Sequence, residues 1–224
     1  MNAKVKPIIT SGRQRVTASH YDVVVIGKGN AALSAALSAR DQGASVIVLE
    51  AAAEDESGGN SRFAGGVMRF AYESVEDLKR VTELTDEEVA NSDFGTNTKE
   101  EFFDDLFRLT QFRTDPDLSE ALVTQSLDVM AWLRSKGARF VPNYGRQSGM
   151  VNGKRKFFGR MPIEVSGGGS GLVRYMDAAA AKAGIEVLYE TRALSLIYDG
   201  VRVSGVRARR NGEVIELQAK SVVL

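Results

Sequence analysis

The stretch from Tyr21 to Glu50 constrains this chain more than any other. Tyr21 to Ile26 (YDVVVI) is a β-branched run ending at Gly27, the pattern of a strand buried on both faces of a parallel sheet. Asn30 to Arg40 (NAALSAALSAR) is Ala-rich and stopped by Gly43, so it reads as a helix, and Ala44 to Glu50 (ASVIVLE) supplies a second buried strand. Strand, glycine turn, helix and strand in that order predict a βαβ unit with a right-handed crossover.

The turn of this unit, Gly27-Lys28-Gly29-Asn30-Ala31-Ala32, fits the G-x-G-x-x-G/A fingerprint of dinucleotide sites in its proper context between strand and helix. Gly27 permits the tight turn, Gly29 lets a pyrophosphate approach the backbone, and Ala32 lets the helix pack closely on the strand. The phosphate charge then sits at the positive end of the helix. Glu50 closes the second strand, where a carboxylate accepts hydrogen bonds from a ribose diol and repels a 2′-phosphate. A plain βα turn with a solvated Glu is the competing reading. The fingerprint does not separate NAD from FAD.

Composition narrows the chemistry. The 224 residues carry 29 Lys and Arg against 29 Asp and Glu, so no net field draws the chain to nucleic acid or an anionic membrane. There is no Cys and one His, His20, which removes disulfides, thiolate metal sites and Cys nucleophiles and leaves no core imidazole. Chemistry is therefore expected from a cofactor, with no metal. No apolar run approaches the roughly 20 residues of a membrane span, and the first twenty residues lack a signal-peptide core. The expectation is a cytoplasmic protein with a disordered or docking arm over residues 1–20.

Farther along, Glu54 to Gly66 reads as loop. Ser74 with Asp77 and Thr98 with Glu101 are capping-box pairs, the second ahead of an apolar face of Phe102, Phe103, Leu106 and Phe107. Asp115-Pro116 opens a helix expected to turn Leu118, Leu122, Val129, Met130 and Leu133 inward and to end at Gly137. Arg139 to Gly169 reads as irregular chain or short strands, and Ser170 as the cap of a helix over Gly171 to Ala183. Ile185 to Tyr189 is another strand. Leu194 to Tyr198, Val201 to Arg209 and Val214 to Leu217, separated by Asp199-Gly200 and Asn211-Gly212, predict an antiparallel meander. A last parallel strand, Ser221 to Leu224, stops in mid-run, as in a truncated chain. The fold class is α/β, with a mostly parallel sheet and an added antiparallel β-meander.

Two glycine clusters, Gly58-Gly59-Asn60-Ser61 and Ala64-Gly65-Gly66, follow the second strand, where small residues let backbone amides reach a ligand; a flexible surface loop is the alternative. The segments VVVIGKGNAALSAALSA, VIVLEA, GGNSRFAGGVMRFAY, and GGGSGLV with the later YETRALSL resemble the flavoprotein subunits of the fumarate reductase and succinate dehydrogenase family. Within it they are most similar to FAD-dependent tricarballylate dehydrogenases.

The resemblance implies a Rossmann-like FAD-binding domain over residues 21–224, incomplete and without its capping or substrate domain. It implies that Gly27, Gly29, Asn30, Ala31 and Ala32 hold the FAD pyrophosphate and that Glu50 with Ala51 holds the ribose. Gly59, Asn60, Ser61, Gly65 and Gly66 would lie toward the flavin, and the backbone of Ala193 against the adenine. Members that bind FAD covalently use a His in the segment matching Gly59 to Ser61, so Asn60 implies noncovalent flavin. The implied reaction is dehydrogenation or reduction of a small polycarboxylate such as tricarballylate, with an electron-transfer partner protein. The family's catalytic arginines and histidine match positions past Leu224, so no catalytic residue is assigned. Arg155, Lys156 and Arg160 read as a solvated basic loop rather than a carboxylate clamp. An NAD-dependent Rossmann dehydrogenase and a non-catalytic flavoprotein fragment are the alternative readings.

Overall fold

The computed structural model describes residues 20–224, so all of the expected arm except His20 lies outside the described residues. In chain order the elements begin with β1 (His20–Ile26), α1 (Asn30–Asp41), β2 (Val46–Leu49), α2 (Val75–Val81), α3 (Asp86–Ala90), β3 (Ser92–Asp93), α4 (Lys99–Thr110) and α5 (Pro116–Ser135). They continue with β4 (Phe140–Pro142), β5 (Ser148–Val151), β6 (Lys154–Phe157), β7 (Ile163–Val165), α6 (Gly168–Lys182), β8 (Glu186–Leu188), β9 (Thr191–Tyr198), β10 (Val203–Arg210) and β11 (Glu213–Val223). The chain divides into two compact units. One ends at Asn60 and resumes over Asp177–Leu224; the other is Ser61–Met176.

The first unit is built on a six-stranded sheet of order β8-β2-β1-β11-β10-β9. β8, β2, β1 and β11 pair in parallel, whereas β11-β10 and β10-β9 are antiparallel. Val24, Ile47, Leu49, Leu188, Val206 and Leu217 form a buried cluster. The alternate residues Val25, Val46 and Val48 are buried as well, and α1 lies against β1 and β2 with Leu33, Ala36 and Leu37 inward. Burial on both faces is why β1 and β2 carry no polar alternation.

The sequence expectations are corrected here in two ways. The third strand of the meander and the last parallel strand are a single strand, β11, antiparallel to β10 through Leu217 and Gln218 and parallel to β1 from Gln218 onward. Gln218-Ala219-Lys220 looked like a separator because it is polar. It holds no Gly, Pro or Asn to break the chain, so pairing continues through it. The meander also starts earlier, at Thr191. The Asn211-Gly212 turn adopts the double left-handed conformation (φ 51° and 80°) that this dipeptide favours.

The second unit holds α2 to α5 and the short strands. Ser74, Thr98 and Asp115 cap their helices as the sequence predicts, and Thr85 with Glu88 forms a further capping box on α3. The expected loop from Glu54 to Gly66 contains two short 3-10 turns, Glu54–Glu56 and Gly59–Phe63. The inward face of α5 is Ser119, Val123, Ser126, Met130 and Leu133, whereas Leu118, Leu122 and Val129 are exposed. The serines can be buried because their hydroxyls are satisfied: Ser119 donates to Asp115 O, and Ser126 donates to Val123 O and accepts from the Ala71 N–H. The small size of Ser126 lets the Ala71 backbone approach, which a leucine there would prevent.

α6 begins three residues before the predicted start, within the glycines, so Ser170 lies inside the helix and does not cap it. A neighbouring loop supplies the acceptor instead, with the Gly169 N–H donating to Ala64 O at 2.8 Å. A Cβ on Gly169 would overlap Ser61 O and lie 2.7 Å from Ala64 O. Helix propensity alone favours Gly→Ala by about 1 kcal/mol, but overpacking against backbone costs about 1–3 kcal/mol or more. Gly169→Ala is therefore expected to destabilise the fold by about 1 kcal/mol or more, read as a fall in thermal midpoint. An unchanged or raised midpoint would show that the loop yields.

Candidate functional site

The site starts where β1 ends. Gly27 takes φ 91°, a left-handed conformation that favours glycine, and its N–H donates to Leu49 O at 2.8 Å. This bond pins the turn to the residue before Glu50. Gly29 then stands at the N-cap of α1 in extended conformation, with no side chain capping the helix and no acid in its first turn. In α2 to α5 a Ser, Thr or Asp side chain fills that role. A helix start closed by glycine instead presents its amides and dipole to an anionic ligand.

Glu50 is 9% exposed. Its Oε1 accepts from the Ala52 N–H at 2.8 Å, and no donor among the described residues bonds the other oxygen. Its backbone carbonyl accepts from the Thr191 N–H at 2.8 Å, and Glu190 N–H donates to Ala52 O. These bonds bring the start of β9, Thr191, two residues before Ala193, beside Glu50. The structure thus places Gly27, Gly29, Asn30, Ala31, Ala32, Glu50 and Ala51 at the carboxyl ends of β1 and β2, next to the β1-β11 pairing where the strand order turns back, with Ala193 on β9 paired to Ala208 of β10. Open α/β sheets bind ligands at such a point. Gly59 (φ 52°) and Asn60 close this unit exposed, and a Cβ on Gly59 would meet nothing within 4 Å.

Ser61, Gly65 and Gly66 belong to the second unit. Gly66 has a packing reason of its own: it is buried, and a Cβ there would lie 2.6 Å from the Gly168 Cα. Gly65 is exposed and accepts a 3.3 Å hydrogen bond from Arg146 on its carbonyl.

A family model of the FAD binding domain matches residues 22–224. The chain belongs to that FAD-binding family. It is 30% identical over 191 residues to the fumarate reductase (cytochrome) of Shewanella frigidimarina, covering 83% of this chain and 30% of that protein. It is also 30% identical over 205 residues to the NADH:fumarate oxidoreductase of Klebsiella pneumoniae (strain 342), covering 91% of this chain and 20% of that protein. The open conformation of a flavocytochrome c3 fumarate reductase superposes with a TM-score of 0.69 at 26% identity, over 92% of this chain and 33% of that one. The chain therefore spans less than a third of the length of these relatives. It is the FAD-binding part found in flavin-dependent oxidoreductases, and its cofactor is FAD. No helix among the described residues is long and apolar enough to cross a membrane.

Sequence reading passed over Lys28, the variable residue of the G-x-G. It is 3% exposed, and its ammonium pairs with Asp177 Oδ1 at 2.5 Å, donates to Ser57 Oγ at 3.2 Å and lies 5.5 Å from the Tyr189 ring centroid. Burial, with Asp177, Glu54 and Glu50 adding to it, pushes the Tyr189 hydroxyl up to about 12, so it stays neutral. A lysine inside a tight turn was a usable signal, because charged side chains are seldom buried unpaired. Its acid lies far along the chain and could not be named from sequence.

The basic stretch does not converge. Arg155 bonds Ser148 Oγ and lies over the Tyr144 ring, Lys156 pairs with Asp93 at 3.6 Å, and Arg160 reaches Asp105 at 2.8 Å and Glu101 at 3.0 Å. Gly159 and Arg160 are both left-handed (φ 68° and 58°), which turns Arg160 toward α4 while Lys156 stays on β6. The three therefore form no shared clamp: Lys156, still half exposed, and Arg160 pair with separate carboxylates, and Arg155 bonds a hydroxyl. Asp105 also holds Arg69 at 2.7 Å and Arg108 at 2.9 Å.

Hydrogen bonds from Arg108 and Arg69 hold the Asp105 carboxyl well below the usual carboxylate range. A group depressed on folding contributes stability that is complete above its unfolded pKa of about 4 and is lost as pH falls toward the folded value. Stability measured against pH should therefore begin to drop below about pH 4, and Asp105→Asn should flatten that part of the curve. Identical acid limbs for both proteins would mean that the network adds nothing.

Proposed function

We propose that FAD binds with its pyrophosphate at Gly27 to Ala32, its ribose on Glu50 and Ala51, its adenine against the Ala193 backbone, and its flavin end toward Gly59, Asn60, Ser61, Gly65 and Gly66. The observation that carries this reading is the uncapped, glycine-closed start of α1 beside Glu50, whose one carboxylate oxygen is held by Ala52 while the other is left for a diol. When bound, FAD supplies a two-electron acceptor for hydride. The residues of this chain bind and orient it. Neutral Asn60 in place of a His supports noncovalent attachment.

The proposed whole protein is a cytoplasmic FAD-dependent dehydrogenase or reductase of a small polycarboxylate, with tricarballylate as the specific substrate and a separate protein as its electron-transfer partner. Support comes from two relatives named for fumarate and from the sequence resemblance. Among the described residues, Arg69, Arg155, Lys156 and Arg160 each have a protein partner.

Glu50→Gln should weaken FAD binding by about 1–3 kcal/mol, the range for losing a charged hydrogen-bond acceptor. Fluorescence titration of the apoprotein measures this, and unchanged affinity would move the ribose elsewhere. Acid precipitation of the loaded protein should leave all flavin in the supernatant, and a yellow pellet would contradict noncovalent binding. Residues 1–224 loaded with FAD should not turn over fumarate or tricarballylate with an artificial electron carrier. Substrate-dependent turnover would show that the clamping groups are already present.

A further inference from the structure

The Lys28 ammonium occupies the residue between the two turn glycines, yet it is committed to protein. Asp177 on α6 neutralises it and Ser57 Oγ accepts from it. Ser57 is itself buried and donates to Glu54 O at 2.7 Å. One side chain therefore joins the pyrophosphate turn, the segment leading into Gly58-Gly59 and α6. A cavity of about 420 Å³ borders Lys28, Glu54, Asp177, Ala181, Val187 and Tyr189. The ion pair, the hydroxyl and the Tyr189 ring hold the ammonium.

We propose that Lys28 is a positioning residue for FAD: acting through Asp177 and Ser57, it sets the geometry of the Gly27–Gly29 turn without contributing its charge to the phosphates. Within this turn the positive potential offered to the pyrophosphate is then that of the α1 amides. This inference rests on the site assignment above.

The test is the FAD dissociation constant of the folded apoprotein, together with its thermal midpoint, for Lys28→Met, Asp177→Asn and the double variant. Asp177 is about one-third exposed on its side chain (34%) and gives a variant that folds even if Lys28→Met does not. Breaking one partner of a buried pair leaves the other uncompensated. Each single variant should therefore raise the dissociation constant roughly tenfold, and the double variant should bind about as well as either single, with the flavin absorption bands unmoved. Losses that multiply in the double variant, with a weaker salt dependence for Lys28→Met only, would overturn the proposal and put the ammonium on the phosphates. A lowered midpoint with unchanged affinity would reduce the pair to fold stability. Glu50→Gln separates the two levels. If it weakens FAD while the Lys28 and Asp177 variants do not, positioning fails and the site assignment stands, whereas no effect from any of them refutes both.

Discussion

The nucleotide end of this protein depends on β1 being enclosed. It is hydrogen-bonded in parallel to β2 on one edge and to β11 on the other, and apolar groups cover both faces. Burial of a Val or Ile side chain is worth about 1.5–3 kcal/mol, so packing rather than any one hydrogen bond keeps the strand in place. A strand held this firmly fixes the point at which its chain must turn. The bond from Gly27 N–H to Leu49 O then sets that turn against Glu50. The amides of α1 and the Glu50 carboxylate can serve one ligand because both are anchored to the same pair of strands.

A net charge of zero conceals how the charges are used. Lys28 is matched to Asp177, and Arg69 and Arg160 to Asp105 and Glu101. A cation withdrawn from water as Lys28 is needs a carboxylate close by, since the penalty of leaving it unpaired exceeds what a surface pair returns. The consequence is functional. Lys28, Arg69 and Arg160 thus serve architecture, and in the proposed site the attraction for a phosphate comes from backbone at the start of α1. Glycines are divided in the same manner: Gly27 and Gly59 leave open space, whereas Gly66, Gly168 and Gly169 let two backbone segments touch.

What could be read in advance was local. The βαβ unit, the Ser74, Thr98 and Asp115 caps and the Asn211-Gly212 turn follow from residues within a few positions of one another. They depend on short-range sterics and on orphan amides that a neighbouring side chain can satisfy. The sequence by itself thus determined the dinucleotide-type turn with Glu50 at the end of the next strand, a turn that suits NAD and FAD alike. Tertiary structure alone decided that β11 runs unbroken through Gln218-Ala219-Lys220, because pairing with both β1 and β10 outweighs a polar interruption. It also chose the serine row of α5 over the leucine row, because the Ala71 backbone needs close approach and a hydroxyl to bond. The pairing of Lys28 with Asp177 was beyond reach of local reading for the same reason: a buried charge is stabilised by whatever the fold brings to it, and sequence spacing carries no record of that distance.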